Sequence, residues 1–179
     1  MTTLTNEHPT RVADTVDMAQ AMRNVLGNFC TGVAVITANT PDGPVGMTVQ
    51  SLVSISLDPP LVLFSPQKTS TTWPQIQRAG SFCANILPTD HQDLGMRFAR
   101  SSAGTRFDGV GWQSGMTGAP VLDGALAFIE CHIDQVHEAG DHYMVLGRVQ
   151  DLGEVTAGEP LLFFKGGFGS FNGANRTGK

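Results

Sequence analysis

The sequence contains few charged residues and no concentrated patch of positive charge. Of its 179 residues, 15% are charged, and the formal net charge is −5. No Lys/Arg cluster forms the basic face that proteins bound to duplex nucleic acid usually carry. No apolar run approaches the roughly 20 residues that cross a bilayer, and the N-terminal residues lack the apolar segment of a secretory signal. The sequence therefore predicts no nucleic-acid partner, no membrane partner and a cytoplasmic location.

Cysteine is also scarce. The three cysteines, Cys30, Cys83 and Cys131, are odd in number, widely spaced and without a CxxC pair. This arrangement argues against a disulfide framework and against a zinc ribbon. We therefore expect each cysteine to behave as a small buried hydrophobic residue.

Several catalytic and metal-binding patterns are missing. No GxGxxG follows a predicted strand, which excludes a Rossmann fingerprint, and no GxSxG provides a hydrolase serine. His132, His137 and His142 recur at steps of five, which places His132 and His137 on opposite faces of a strand. We therefore expect no metal site.

What the sequence does contain is typical of one globular domain rich in turns. Apolar residues make up 41% of the chain, together with 21 Gly and 10 Pro. We predict a mobile N-terminal arm over residues 1–16, one domain over residues 17–165 and a Gly-rich C-terminal tail over residues 166–179. Apart from this tail the chain shows no repeat and no low-complexity block.

The predicted secondary structure is mainly strand. Asp17 is a plausible N-cap for a short helix, and Ser70 or Thr72 is a plausible cap for a second. A capping-box pattern from Thr89 to Gln92 predicts a third helix. Strands are predicted over residues 33–38, 45–56, 61–65, 82–87, 125–137, 142–155 and 161–164, with a hairpin turn over residues 138–141. This pattern predicts an antiparallel barrel or sandwich.

One polar stretch, residues 46–70, is a candidate binding segment. It carries hydroxyl groups along an extended region, and then a strand leads to a loop that contains Lys68. Hydroxyls and a cation near a helix start suit a phosphate group. The alternative is that Ser and Thr simply favour edge strands and turns, and that Lys68 is an ordinary surface lysine.

This stretch also carries a resemblance. The motifs TGVAVIT, GMTVQSLVSISLDPPLVLF, SPQKTSTTW, FCANIL, MRFA and GDHY occur in this order between residues 31 and 143. Together they resemble the flavin reductase-like family, the short-chain NAD(P)H:flavin oxidoreductases that serve two-component flavin-dependent monooxygenases. The resemblance covers about residues 20–165.

The resemblance implies a mainly β, split β-barrel of the Greek-key antiparallel type, with a few short helices, that forms a homodimer. It implies hydride transfer from NADH to FAD or FMN, with release of reduced flavin to a separate oxygenase. NADPH is the less expected donor, because no basic pocket for a 2′-phosphate is apparent. The alternatives are a flavin-binding storage or sensor protein of the same fold without reductase turnover, and an oxidase of the pyridoxine-phosphate type.

The resemblance also implies particular site residues. The flavin ring and ribityl chain are assigned to Thr31, Gly32, Val33, Thr48, Val49, Gln50, Ser51 and Asn85. Ser54 and Ser56 are assigned to support of the phosphate end, and phosphate or ribityl binding is assigned to Ser65, Gln67, Lys68 and Ser70. The outer part of the flavin is assigned to Arg97 and Phe98, and the nicotinamide to Asp141, His142 and Tyr143.

His142 is the one residue predicted to act in catalysis, as a hydrogen-bond donor beside the nicotinamide or the polar edge of the flavin. Its alternative role is that of a histidine at a strand start, satisfied by the preceding turn. No dedicated catalytic base is expected, because the two cofactors themselves carry the reactivity.

Overall fold

The computed structural model describes residues 17–100, 103–155 and 157–171. The predicted arm over residues 1–16 therefore lies outside the described residues, as do residues 172–179 of the predicted tail. Three α-helices occur within these ranges: α1 (Met18–Leu26), α2 (Trp73–Ala79) and α3 (Gln92–Arg100). None of these helices combines the length and apolar character needed to cross a membrane.

Twelve strands make up most of the remainder. They are β1 (Thr31–Gly32), β2 (Ala34–Thr40), β3 (Gly43–Val49), β4 (Val53–Leu57), β5 (Pro60–Phe64), β6 (Ser81–Ile86), β7 (Trp112–Ser114), β8 (Pro120–Leu122), β9 (Ala127–Ala139), β10 (His142–Glu154), β11 (Leu161–Phe164) and β12 (Gly167–Ser170). Seven of them form one antiparallel sheet in the order β3-β2-β6-β9-β10-β5-β4.

The main sheet is curled into a split barrel. Its two edge strands, β3 and β4, are joined by residues 50–52 alone. Seven flat strands would hold these edges about 29 Å apart, whereas the connection spans at most about 14 Å when extended. The sheet must therefore bend until its edges approach each other, without a ladder of hydrogen bonds between them. This confirms the predicted fold class.

The core has two parts, one on each side of strand β2. Ala34 and Ile36 belong to a cluster that includes Phe64, Phe82 and the α2 residue Trp73. On the other face of the strand, Val33, just before it, and Val35 belong to a cluster with Leu87, Phe98, Leu122 and Leu161. Because β2 lies between helix α2 and helix α3, both of its faces are buried, which explains its continuous apolar sequence.

The helix starts agree in part with the sequence prediction. Asp17 caps α1, since its Oδ1 accepts the amide of Ala19 at 3.0 Å. Ser70 caps α2 by accepting the amides of Thr72 and Trp73. The capping box predicted at Thr89 does not form, because the Thr89 hydroxyl donates instead to the carbonyl of Glu159 at 3.0 Å.

The Gly-rich end begins with regular structure. Strands β11 and β12 form a hairpin whose two turn residues, Lys165 and Gly166, both have positive φ, as a type I′ turn requires. Strand β1 pairs with β11 and completes a small three-stranded sheet. Ordered structure thus continues past the boundary predicted at residue 165.

The cysteines show one further difference from the sequence prediction. Cys83 and Cys131 are buried, but Cys30 is exposed. Burial raises the pKa of both buried thiols, that of Cys131 to about 12, with a smaller contribution from the nearby carboxylate of Glu130.

Candidate binding cleft

A large cleft opens at the split in the barrel. Its volume is about 1120 Å³, and it lies between strand β3, helix α3, the loop over residues 65–72 and the β11–β12 hairpin. Typical small-molecule sites occupy about 300–1,000 Å³. The cleft therefore has room for more than one compact ligand.

Ten of the residues that were assigned to the site from the sequence line this cleft. They are Val33, Thr48, Val49, Gln50, Ser51, Ser65, Gln67, Ser70, Phe98 and His142. Most of them come from two chain segments, the end of β3 with the following connection and the loop after β5. Both segments border the split, so the polar stretch recognised in the sequence forms much of the cleft wall.

The hydroxyl groups of these residues have different hydrogen-bonding capacities. Thr48 Oγ1 donates to the carbonyl of Gly95 at 2.6 Å, and Ser65 Oγ donates to the carbonyl of Tyr143 at 2.6 Å. A hydroxyl has a single proton, so neither group can donate another hydrogen bond to a ligand in this arrangement. Ser51 Oγ accepts the amide of Ser65 at 2.8 Å and keeps its proton for a ligand.

Nine assigned residues do not line the cleft. They are Thr31, Gly32, Ser54, Ser56, Lys68, Asn85, Arg97, Asp141 and Tyr143. Thr31 and Gly32 form β1 beside the hairpin, and Ser54 and Ser56 lie on edge strand β4. Asp141 and Tyr143 flank His142 and contribute through their contacts with neighbouring residues rather than through the cleft wall.

Asn85 lies in the core and not in the cleft wall. Its side chain is 0% exposed, and its Nδ2 donates to the carbonyls of Val35 and Pro120 and to Thr37 Oγ1. Its Oδ1 accepts the amide of Leu122 at 2.8 Å. These bonds use the whole amide inside the core and join β6 to β2 and β8, while the ligand role assigned to Asn85 stays a prediction.

Lys68 and Arg97 also lie outside the cleft wall and contact other groups. Lys68 Nζ pairs with Glu138 at 2.7 Å, and this hydrogen bond raises the pKa of Lys68. Arg97 Nη1 donates to the carbonyl of Asp108 at 2.7 Å, beside a separate shallow pocket of about 240 Å³. Helix α3 contributes Gln92, Met96, Phe98, Ala99 and Arg100 to the cleft wall, but not Arg97.

Arg106 is the most informative residue that sequence reasoning missed. Its Nη1 donates to the carbonyl of Gly46 and to Thr72 Oγ1, both at 2.6 Å, and burial lowers its pKa. The guanidinium therefore lies where strand β3 meets the loop over residues 65–72. No local sequence signal marks Arg106, because its partners are 60 and 34 residues away along the chain.

The charge distribution of the cleft is one-sided. Arg23, Arg100 and Arg106 line it, whereas none of its lining residues within the described chain is Asp or Glu. The whole sequence nevertheless has 16 acidic against 11 basic residues. Such segregation of charge favours an anionic ligand.

His142 lies at the edge of the cleft with one ring nitrogen already engaged. Its Nδ1 is 2.8 Å from Asp141 Oδ1, and hydrogen bonding from His142 lowers the pKa of Asp141. A carboxylate can only accept this hydrogen bond, so Nδ1 carries a proton and Nε2 is the ring nitrogen left for a ligand. Neutral Nε2 accepts a hydrogen bond, for example from a carboxamide NH₂ group.

The β11–β12 hairpin contributes Phe163 and Phe168 to the apolar part of the cleft wall. The two rings meet edge to face at 5.3 Å. Planar aromatic surfaces beside arginines and hydroxyls suit a ligand that is partly a flat ring and partly a phosphate.

The fold and the cleft together define a split-barrel protein built to bind a large, planar, anionic ligand. The chain belongs to the flavin reductase like domain family, whose family model matches residues 26–172. This confirms the predicted family and the prediction of an oxidoreductase.

Individual relatives are similar over most of the chain. The chain is 44% identical to the flavin-dependent monooxygenase reductase subunit HsaB of Mycobacterium tuberculosis, covering 83% of this chain and 80% of that protein. It is 45% identical to the FMN reductase (NADH) SmoA of Agrobacterium fabrum, covering 86% and 87% respectively.

Among solved structures, the chain resembles the NADH:FAD oxidoreductase SgcE6 of Streptomyces globisporus in complex with NAD and FAD fragments. The identity is 36%, the TM-score is 0.84, and the match covers 93% of this chain and 100% of that one.

The burial of Asn85 leads to a prediction that separates a core role from a ligand role. We expect Asn85→Ala to lower the free energy of unfolding by about 2–4 kcal/mol, because it leaves several buried hydrogen-bonding groups without a partner. Denaturant unfolding measures this loss. Asn39→Ala, on the exposed end of the same sheet's β2, serves as the matched control and should change stability little. Unchanged stability combined with weakened ligand binding would restore Asn85 to the binding site.

Proposed function

We propose that the chain is the reductase component of a two-component monooxygenase. In this proposal it transfers hydride from NADH to FAD or FMN and releases the reduced flavin to a separate oxygenase. The observation that carries the proposal is the cleft at the split, which is wide enough for two ligands, free of carboxylates in the described chain, and bordered by His142. The relatives named above, a monooxygenase reductase subunit and an NADH-dependent FMN reductase, support it.

The residues present fit a flavin nucleotide. The segment from Thr48 to Ser51 offers a strand edge and the free proton of Ser51 to the polar side of the ring. Thr69, Ser70 and Thr71 line the same cleft close to the Arg106 guanidinium, a combination that suits a phosphate. The flavin itself supplies the ring that accepts the hydride, and the protein supplies stacking, exclusion of water and positioning.

His142 is proposed to orient the nicotinamide. With Nδ1 fixed by Asp141, its Nε2 can hold the nicotinamide carboxamide at the open side of the cleft. Correct stacking of the two rings lowers the barrier by fixing a near-attack geometry, and no acid or base needs to be placed at the reacting atoms. The need for NADH supports the cytoplasmic location predicted from the sequence.

A direct test is to follow NADH absorbance in the presence of FAD or FMN. We expect flavin-dependent oxidation of NADH, with NADPH the poorer donor. His142→Ala should lower kcat/KM for NADH about tenfold, as the loss of one hydrogen bond predicts, while changing the flavin Kd less than twofold. His132→Ala, an exposed histidine outside the cleft, is the matched control.

The outcomes separate the candidate functions. Flavin binding without NADH oxidation in the parent protein would favour a storage or sensor protein of the same fold. Equal turnover in His142→Ala and the parent would remove His142 from the reaction.

A second prediction concerns the phosphate end of the flavin. Arg106→Gln keeps hydrogen-bond donors but removes the charge, so FMN and FAD should bind about 5- to 20-fold more weakly. Riboflavin, which lacks the phosphate, should bind within twofold of the parent. Fluorescence titration measures all three, and Arg97→Gln is the control because Arg97 lies outside the cleft. An equal loss for riboflavin would show that Arg106 only supports the fold.

We also propose that the protein is a homodimer. Helix α1 buries only Ala21 and exposes a row of apolar residues, including Val25 at 64% exposure. On edge strand β4, Val53, Ile55 and Leu57 are exposed as well, Leu57 at 89%. Apolar surface of this extent is typical of an interaction face.

Light scattering at micromolar concentration tests the dimer. We expect a mass twice the 19.0 kDa of the chain. Val25→Lys should shift the protein towards monomer, because it places a charge on the apolar face of α1, while Gln20→Lys on the same helix should not. A monomeric parent protein would contradict the proposal.

A further inference from the structure

The contacts of the His142 side chain itself do little to fix its position. It is the first residue of β10, directly after the turn at Gly140 and Asp141, and the side chain of Asp141, its hydrogen-bond partner, is itself 92% exposed. The position of the imidazole therefore depends on the position of the turn of the β9–β10 hairpin, called the hairpin tip below.

Hydrogen bonds join the hairpin tip to the loop after β5. The amide of Lys68 donates to the carbonyl of Asp141 at 2.9 Å, and the amide of Tyr143 donates to the carbonyl of Pro66 at 2.9 Å. Ser65 Oγ donates to the carbonyl of Tyr143 at 2.6 Å. These three bonds are made by the residues on either side of His142, and His142 itself forms an isolated β-bridge with Gln67.

The side chain of Lys68 completes this attachment from outside the cleft. Its Nζ pairs with Glu138 Oε2 at 2.7 Å and lies 5.6 Å from the centre of the Tyr143 ring. The hydrogen bond raises the pKa of Lys68 and lowers that of Glu138, so both ends are charged at neutral pH. Lys68 thus connects the loop to the residues before and after the hairpin turn.

We propose that the Lys68–Glu138 pair is a positioning device that holds the hairpin tip against the loop and so places His142 at the cleft. Lys68 and Glu138 are positioning residues in this account, and Lys68 is not a ligand of the flavin phosphate. The inference rests on the proposed function, since it assigns His142 to the nicotinamide.

Glu138→Gln is the decisive substitution, because Glu138 is 75% exposed in its side chain and does not line the cleft. An exposed ion pair contributes modestly, so we expect KM for NADH to rise about two- to fivefold. The flavin Kd should stay within twofold. Lys68→Gln should have the same effect, and the double variant should show no further increase. Glu154→Gln, an exposed glutamate at the far end of β10, is the matched control.

Two further measurements sharpen the test: the first is independent of activity, and the second separates loss of the ion pair from a folding defect. Amide hydrogen exchange at Lys68 and Tyr143 should accelerate in Glu138→Gln, because these amides form the bonds between hairpin and loop. The charge exchange Lys68→Glu with Glu138→Lys should restore KM towards that of the parent, since it reconnects the same two segments with the opposite polarity.

The alternative role of Lys68 gives the opposite pattern. If Lys68 binds the flavin phosphate, Lys68→Gln weakens FMN and FAD but not riboflavin, and Glu138→Gln leaves KM for NADH unchanged. That result would overturn the proposal, and so would unchanged amide exchange in Glu138→Gln. A parent protein that fails to oxidise NADH would instead remove the proposed function, while the exchange measurement would still test the attachment.

Discussion

The exclusion of carboxylates from the cleft wall is the constraint on which the rest of the structure depends. The sequence contains more acidic than basic residues, yet arginines from α1, α3 and the following loop converge on one cavity whose described lining has no acid. A phosphate-bearing ligand would be repelled by the net charge of the protein as a whole. The arginines of the cleft replace this repulsion with attraction at the place where the ligand must enter.

The site exists because the barrel is incomplete. A short connection draws the two edge strands of the main sheet together, but their backbones remain unpaired, so the end of β3 and the connection after it are accessible. A planar ring can lie along such an edge and use its polar groups. The same opening is needed if the reduced flavin has to leave after each turnover, as we propose.

Sequence reasoning predicted segments better than side-chain roles. The stretch from Thr48 to Ser51 and the loop containing Ser65 and Ser70 do line the cleft, because strand edges and loops were placed correctly by pattern and by resemblance. Asn85 does not line the cleft, because its amide, on a central strand, forms hydrogen bonds within the core. Arg106 could not be recognised from the sequence, because only folding brings it to Gly46 and Thr72.

A crystal structure of the protein with FMN would test the account most directly. The account predicts the flavin ring along residues 48–51, with its phosphate within hydrogen-bonding distance of Arg106 or of the hydroxyls at residues 69–71, and His142 at the open face of the ring. A phosphate bound by Lys68, or a flavin located outside this cleft, would contradict it.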